Sequence, residues 1–237
     1  ETTVGSADVP LASARQHRLQ ADAQLIDVRD TVRLDGFDDV ALHSSGDVRL
    51  LKGNPRAGAI DAELLAARRM EVTAAQIYPV AGASGRLGAG LDPVAVSSDP
   101  RWKDAAGVLR INGLGGAAPI TPPSALGSLM LTAATVEQAG VVRAPMGSIV
   151  LGGTDSNSVL ASRISLLPGS VTSTSGAGLS LPYGGTVDGI QWRLEGATVA
   201  PRNVGGGALP VGIRLVSSET AVAPGAVLDM SGGGELT

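Results

Sequence analysis

The sequence lacks most of the side chains from which catalytic and metal sites are built. Among its 237 residues there is no cysteine, and there are only two histidines, His17 and His43. The absence of cysteine excludes disulfides, a thiolate nucleophile and thiolate metal ligands, and two histidines leave little for acid–base or metal chemistry. We therefore expect no catalytic residues, no cofactor site and no metal site in this chain.

Positive charge and long apolar runs are also scarce. The formal net charge is -4, from 18 Lys and Arg against 22 Asp and Glu. Nucleic-acid binding needs a basic surface that follows the phosphates, so we expect no nucleic-acid partner. No apolar run approaches the roughly 18 residues that indicate a membrane-spanning helix, and we expect no membrane span.

Aromatic side chains are the third scarcity. The chain has only five, which are Phe37, Tyr78, Trp102, Tyr183 and Trp192. A domain of this length normally places several rings in its core, because each ring buries roughly 150–250 Å². The apolar fraction of 43% is carried instead by Ala, Val, Leu and Ile. The sequence thus predicts a thin, aliphatic core, unlike that of most globular enzymes.

The sequence does contain a short repeat, in which a glycine is followed by aliphatic residues at the second and fourth positions after it. The repeat occurs at 46–50, 107–111, 127–131 and 147–151, and the last three glycines are 20 residues apart. Weaker copies follow Gly169 and Gly225. The triplets 32–34, 40–42 and 48–50 recur every eight residues and have aliphatic residues at both ends. This alternation is typical of half-buried strands.

These spacings predict an all-β fold, a right-handed parallel β-helix (β-solenoid) with about 20 residues per coil. A hairpin meander is the alternative, but the corners between the triplets are longer than two-residue hairpin turns. One coil cannot fold alone, because burying about six aliphatic side chains gains roughly 12 kcal/mol while ordering about 20 residues costs on the order of 30 kcal/mol. Coils must therefore stack. In the 147–151 copy the alternation places Ile149 in the core and Val150 outside it, so we expect aspartate to be tolerated only at 150.

Two segments have a helix-forming composition and offer a local alternative. Residues 11–23 and 62–70 are rich in Ala, Leu and Arg, and Asp61 could cap a helix at the second segment. In the solenoid interpretation both segments are strands instead. The inward side chains of the second would then be Leu65, Ala67, Met70, Val72 and Ala74.

Two stretches rich in Gly and Pro interrupt the repeat, at 77–105 and 178–212. We expect them to be loops or hairpins that project from a single β-helix segment spanning 1–237. Four of the five aromatic residues lie in these stretches. Such rings are the usual anchors of binding surfaces, and the alternative is that they pin the loops onto the β-helix.

Several segments resemble coils of the filamentous haemagglutinin family, the exoproteins of two-partner secretion. The similar motifs are Asp-Gly-Phe at 35–37 with Gly-Asp-Val-Arg-Leu at 46–50, Ala-Ala-Gln-Ile-Tyr-Pro at 74–79, Arg-Ala-Pro-Met-Gly-Ser-Ile at 143–149, and Leu-Pro-Gly-Ser-Val at 167–171. They cover most of the chain in order. The resemblance implies a right-handed parallel β-helix in a long extracellular shaft, secreted from a Gram-negative bacterium through an outer-membrane barrel transporter.

The resemblance also implies a role in adhesion. We expect a structural shaft segment of a secreted or cell-surface adhesin that meets a host-cell or glycan receptor through exposed loops and corners, and not an enzyme. No secretion domain or capping element is visible, so we expect the chain to be an internal segment of a larger protein. Two alternatives stay open. One is a polysaccharide-active β-helix enzyme, and the other is a phage or secretion-associated fibre that shares the solenoid fold.

Two sequence features invite a chemical interpretation. Residues 82–88 have glycines at the spacing of some dinucleotide-binding loops, but Pro79 and Pro93 argue against the strand and helix that such a site needs. We expect a flexible loop there. His43 lies next to Ser44 and Ser45, yet adjacent residues of a strand point to opposite faces, so no Ser-His-Asp triad is expected.

An aspartate-rich stretch at 22–47 is the best argument for an enzyme. Its members are Asp22, Asp27, Asp30, Asp35, Asp38, Asp39 and Asp47. Paired carboxylates could act as acid and base on a polysaccharide, or hold a weak Ca²⁺ site. The third interpretation, which we favour, is that most of them occupy solvated corners, where aspartate side chains accept hydrogen bonds from the backbone.

Overall fold

The computed structural model describes residues 17–34, 36–53, 60–90, 106–153, 160–181 and 212–236, together with three short strands between 186 and 198. All regular structure in these residues is β, and they contain no helix. The strands are β1 (Arg18–Ala23), β2 (Ile26–Val28), β3 (Asp30–Leu34), β4 (Asp39–Ser44), β5 (Val48–Leu50), β6 (Ala62–Ala66), β7 (Arg69–Ala74), β8 (Ile77–Pro79), β9 (Ser84–Ala89), β10 (Val108–Gly113), β11 (Ser128–Thr132), β12 (Thr135–Ala139), β13 (Val141–Arg143), β14 (Ser148–Gly152), β15 (Ala161–Leu166), β16 (Val171–Ser173), β17 (Ser180–Leu181), β18 (Thr186–Val187), β19 (Gln191–Leu194), β20 (Ala197–Thr198), β21 (Gly212–Val222), β22 (Val227–Asp229) and β23 (Glu235–Leu236).

Parallel pairing arranges most of these strands in three stacks. The first stack is β1-β4-β7-β10-β12-β15, the second is β2-β5-β8-β13-β16-β22, and the third is β3-β6-β9-β11-β14. The long strand β21 pairs through residues 212–216 with β14 and through 217–222 with β15, so it joins the first and third stacks into one curved sheet of 12 strands. The chain visits the stacks in turn, as in β1, β2, β3 and then β4, β5, β6. The fold is therefore solenoid-like.

The core lies between the stacks and is aliphatic. Its largest fully buried side chains are Leu50, Met70, Ile77, Leu87, Leu109, Ile111, Leu129, Leu131, Ile149, Leu151, Ile164 and Leu166. Phe37 packs against this cluster while partly exposed, and it is the one aromatic residue that does so among the described residues. The prediction of a thin core without buried rings is confirmed for this cluster. Alternate side chains of each strand reach it, as the period of a β-strand requires.

The repeated glycines lie at strand starts, where successive coils come closest. A Cβ atom at Gly46 would lie 2.7 Å from the backbone oxygen of Gln24. A Cβ at Gly147 would collide with the backbone oxygen of Gly127, and Gly107 is crowded by backbone in the same way. Since the backbone of the preceding coil leaves no room for a side chain, close approach explains why the repeat begins with glycine.

The predicted coil length of about 20 residues fits only some of the steps. Ser128 pairs with Ser148, an offset of 20, whereas Asp30 pairs with Ala62, an offset of 32. Between β14 and β21 the offset reaches 64. The three glycines spaced by 20 also belong to different stacks, because 107 precedes β10 in the first stack while 127 and 147 precede β11 and β14 in the third. The glycine spacing thus marks strand starts and not one uniform coil.

The helical alternatives are wrong for the residues that the structure describes. Residues 18–23 form β1, and residues 62–66 and 69–74 form β6 and β7. The inward side chains Met70, Val72 and Ala74 are as expected. In β6 the core receives Leu64 and Ala66 instead of Leu65, and Ala67, also expected inward, is partly exposed and lies outside the core cluster. The predicted alternation of inward and outward side chains is therefore present in β6, but the inward positions differ by one residue from those predicted.

The two predicted interruptions contain ordered strands. In 77–105, β8 and β9 pair with neighbours in the second and third stacks, so the expected loop there is wrong for 77–90, and 91–105 lie outside the described residues. In 178–212, β17 pairs with β23, and β18, β19 and β20 form a separate antiparallel sheet. The sequence of 77–90 predicts a loop because it contains Pro79 and several glycines. In the structure these residues occupy strand positions that pack closely against the core.

The outer side of the third stack is covered at β11 and β14. Val150 points away from the core, as the alternation predicts, yet only 1% of it is exposed, and it forms a second buried cluster with Met130 and Val216 against Ile60. The expectation that Val150 is a solvent position is therefore wrong. Alternation assigns a side chain to one face of a sheet, but it cannot show whether that face is wet.

Candidate functional site

The outward side chains of the first stack form a polar face. Its first column is Arg18, Asp39, Arg69, Val108, Thr135, Arg163 and Glu219, its second is Gln20, Ala41, Glu71, Arg110, Glu137, Ser165 and Ala221, and its third is Asp22, His43, Thr73, Asn112 and Ala139. Neighbouring strands of a sheet are about 4.8 Å apart, so each side chain touches the equivalent one on the next coil. The polar face therefore consists mostly of hydrogen-bonding side chains arranged in three columns.

Opposite charges alternate along these columns. Arg69 lies 3.2 Å from the carboxylate of Asp39, and Arg110 lies 2.6 Å from that of Glu137. The side chains are partly exposed, and such pairs contribute on the order of 0–1 kcal/mol each. Their main effect is on register, because a slip of one strand would place like charges opposite each other.

The polar face has a depression at Ala41 on β4. The cavity has a volume of about 320 Å³. Its lining residues are Arg18, Gln20, Asp22, Ala41, Leu42, His43, Glu71 and Thr73. The depression exists because a methyl group stands in the second column between two long polar side chains on β1 and β7. It is the best candidate for a small-molecule site on this face.

The second stack carries a tighter polar contact. Arg49 on β5 donates two hydrogen bonds, of 2.7 and 2.8 Å, to the two carboxylate oxygens of Asp27 on β2. These hydrogen bonds lower the pKa of Asp27 and raise the pKa of Arg49. Tyr78 follows in the same column, and burial together with the nearby carboxylate of Asp47 raises its pKa. Because the guanidinium of Arg49 and the carboxylate of Asp27 bind each other, the pair links two successive coils.

A partly buried arginine lies farther along the second stack. Arg143 on β13 donates hydrogen bonds to the hydroxyl of Thr121 at 3.3 Å and to the backbone oxygen of Pro119 at 3.1 Å. Burial lowers its pKa. The segment 114–127 contains no strand, and β13 pairs directly with β8. Arg143 therefore fastens this segment to the sheet.

The aspartate-rich stretch is divided between strands and corners. Four of its members lie on strands, namely Asp22, Asp27, Asp30 and Asp39. Asp38 and Asp47 lie at corners, and Asp35 lies outside the described residues. The interpretation as solvated corners is therefore wrong for the strand members, two of which pair with arginines on the next coil. Among the described residues, no group of three or more His, Asp or Glu is placed to hold a metal ion.

His43 and Ser44 point to opposite sides of β4, as expected. The Nδ1 atom of His43 lies 3.5 Å from the Asp22 carboxylate on the exposed polar face. Ser44 is fully buried, and its hydroxyl lies 3.0 Å from the backbone oxygens of Gln24 and Asp47, either of which can accept its hydrogen. His17 is exposed ahead of β1. The geometry brings no serine hydroxyl to a histidine here.

The glycine-rich segment 82–88 belongs to the sheet. Only Gly82 is in a turn, with φ +66, and the strand β9 begins at Ser84. A Cβ atom at Gly85 would collide with the side chain of Leu50, so packing against the core accounts for that glycine. No helix follows among the described residues. Neither a dinucleotide loop nor the expected flexible loop is present.

Four of the five aromatic residues were expected in loops or hairpins, and Tyr78 contradicts that expectation. Tyr78 lies on β8 within the second stack and is only 9% exposed, so the loop assignment is wrong for it. Trp192 lies on β19 of the small antiparallel sheet. Trp102 and Tyr183 lie outside the described residues.

Sequence reasoning missed the depression at Ala41. Its walls come from β1, β4 and β7, and the register joins Gln20 to Ala41 and Ala41 to Glu71. One signal was available, since Ala41 is a small residue at the outward position of the triplet 40–42. That signal becomes meaningful only when the neighbours across the sheet are known.

Comparison with family models, with curated proteins and with solved structures gives no match for this chain. In the part of the chain that the structure describes, no helix has the length and apolar character needed to cross a membrane.

Proposed function

We propose that this chain is a right-handed parallel β-helix and serves as a structural shaft segment of a secreted or cell-surface adhesin. The stacking of parallel strands around an aliphatic core supports this role, and it is the observation that carries the proposal. Each coil is held by its neighbours through backbone hydrogen bonds and through side-chain columns. Such a structure is stiff along its axis and extends by adding coils, which is what a shaft requires.

The same proposal includes the partners implied by the resemblance to filamentous haemagglutinins. An outer-membrane barrel transporter of the two-partner secretion type would export the protein from a Gram-negative cell. A host-cell or glycan receptor would meet the exposed surface of the coils. The polar outer face of the first stack supports this arrangement, because it is open to solvent and rich in hydrogen-bonding groups.

Labelling of intact cells tests the proposal. Antibodies raised against this chain should bind the outside of unpermeabilised cells that express the parent protein, and their Fab fragments should reduce attachment of those cells to host cells. Labelling that requires permeabilisation would contradict surface display. Labelling of intact cells with full attachment in the presence of Fab would contradict the adhesive role.

Light scattering and an activity assay separate the two alternatives. We expect the purified chain to be monomeric, whereas a fibre that depends on assembly predicts trimers. We also expect no new reducing ends when the chain is incubated with acidic or neutral polysaccharides. Release of reducing ends that disappears in Asp38→Asn or Asp22→Asn would favour the enzyme.

A further inference from the structure

The depression at Ala41 has the shape and size of a small ligand site on the polar face. Ala41 stands between Gln20 and Glu71 in one column, with His43 beside it along the strand. The side chains around it come from three successive coils and rise above the methyl group. At about 320 Å³ the space is at the small end of ligand sites, which commonly measure about 300–1,000 Å³. It therefore fits one ring of a small ligand.

The lining side chains keep hydrogen-bonding capacity for a ligand. Asp22 accepts a hydrogen bond of 3.0 Å from the amide of Gln20, and one oxygen of Glu71 accepts a bond of 2.7 Å from Asn112. A carboxylate offers about four acceptor sites, so both groups can accept further donors. Arg18 has no ion pair among the described residues, since the neighbouring carboxylate of the first column pairs with the arginine on the other side. Its guanidinium can donate to a ligand oxygen.

The net charge of the lining side chains determines which ligand charge the depression favours. Two carboxylates face one guanidinium, so an anionic ligand would meet net repulsion and a cationic one net attraction. The remaining lining groups, an amide, an imidazole and a hydroxyl, suit a ligand with several hydroxyl groups. None of the lining residues is Phe, Tyr or Trp, so binding depends mainly on hydrogen bonds.

We propose that this depression binds an amino-sugar unit of a glycan. The protonated amine pairs with the carboxylate of Glu71 and is attracted by the charge of Asp22, and ring hydroxyls accept from Arg18 and Gln20 and donate to Thr73. Hydrogen bonds with one charged partner are roughly twice as strong as neutral ones, and they carry the recognition. The site is exposed to water, so the dissociation constant should be on the order of 1 mM.

An NMR titration of the ¹⁵N-labelled chain tests the proposal. The probe is the β-1,4-linked trimer of glucosamine, and its matched control is the N-acetylated trimer, which lacks the positive charge. The glucosamine trimer should shift the amide signals of residues 41, 43 and 73 and bind at least about tenfold more tightly than the acetylated trimer. Equal affinity for the two trimers, or shifts confined to other residues, would overturn the proposal.

Two further probes separate the sugar from its charge. Putrescine carries amines without a ring, and trigalacturonate carries a ring with carboxylates. We expect both to bind at least about tenfold more weakly than the glucosamine trimer, because one lacks hydroxyl groups and the other is repelled. If putrescine binds as tightly as the trimer, the depression recognises an amine alone and the saccharide assignment is wrong.

Substitutions with matched controls locate the site. Ala41→Gln fills the depression, and Ser165→Gln makes the same change in the same column four strands away. The first should abolish the shifts, and the second should leave the affinity within about twofold. Glu71→Gln keeps the shape and removes one charge, so it should weaken binding at least about tenfold, while Glu219→Gln should not. Full binding by Ala41→Gln or by Glu71→Gln would refute the assignment.

This inference does not depend on the shaft proposal. A chain that fails to bind the trimer can still be displayed on cells and support attachment through another surface. Conversely, binding by the purified chain would stand even if the antibodies failed to label intact cells.

Discussion

The covered outer side of β14 gives the sharpest test of the structure. Val150 lies on the outer side of β14 and is 1% exposed, while Val108 lies at an outward position of the first stack and is partly exposed. Strand alternation alone treats the two residues as equivalent surface positions. The tertiary structure makes them different, because only Val150 packs into a buried cluster.

Truncation to alanine converts that difference into a stability change. Val150→Ala removes about two buried carbon groups at about 0.8 kcal/mol each, and the cavity left behind brings the loss in unfolding free energy to about 1.5–3 kcal/mol. Val108→Ala should change stability by no more than about 0.5 kcal/mol. Ile149→Ala, in the main core, should cost about 2–5 kcal/mol.

Urea unfolding followed by far-ultraviolet circular dichroism measures these changes. With a denaturant slope of about 3 kcal/mol per molar, Val150→Ala should lower the midpoint by about 0.5–1 M. The slope itself should stay the same in all three variants, so that the midpoints report stability. If Val150→Ala shifts the midpoint no more than Val108→Ala, the outer side of the third stack is wet and the reasoning fails.

Three further changes test other contacts. Gly85→Ala places a Cβ against a core leucine and should cost about 1–3 kcal/mol in urea unfolding, whereas Gly36→Ala, with open space around it, should be nearly neutral; equal costs would contradict the packing account. The lowered pKa of Asp27 means that its charged form stabilises the fold above the unfolded value of 3.8, and that this contribution is lost as pH falls through the lower folded pKa. Asp27→Asn should therefore reduce the acid-dependent loss of stability below pH 3.8, and an unchanged pH profile would oppose this. Glu63 and Arg86 form an ion pair of 2.9 Å with side chains only 13% and 10% exposed, so Glu63→Gln should cost up to about 3–5 kcal/mol by leaving a buried guanidinium without its carboxylate. A change below about 1 kcal/mol would indicate a solvated pair.

Short sequence patterns predict much of the local structure. The triplets at 40–42 and 48–50 form strands with their aliphatic residues inward, and the glycines at 46, 107, 127 and 147 lie at strand starts. These features depend on two local effects. One is the two-residue period of side chains along a strand, and the other is the space that a Cβ atom needs. They were predictable for that reason.

Other features could not be predicted because they depend on distant residues. The segment 77–90 has the composition of a loop, yet pairing with strands on both sides makes it β8 and β9. Hydrogen bonds with preformed neighbours outweigh a weak local preference. The candidate site fails to appear in the sequence for the same reason, since the offsets that bring Gln20, Ala41 and Glu71 together are 21 and 30 residues.

The sequence by itself determined the class of structure. Few aromatic residues, no cysteine and alternating aliphatic residues with recurrent glycine leave an all-β chain with a thin aliphatic core. Only the tertiary structure decided the unequal coil lengths, the buried outer side at Val150 and the depression at Ala41. The reason is physical: a strand's own pattern sets which side chains share a face, while the register of strands far apart in the chain sets what each face meets.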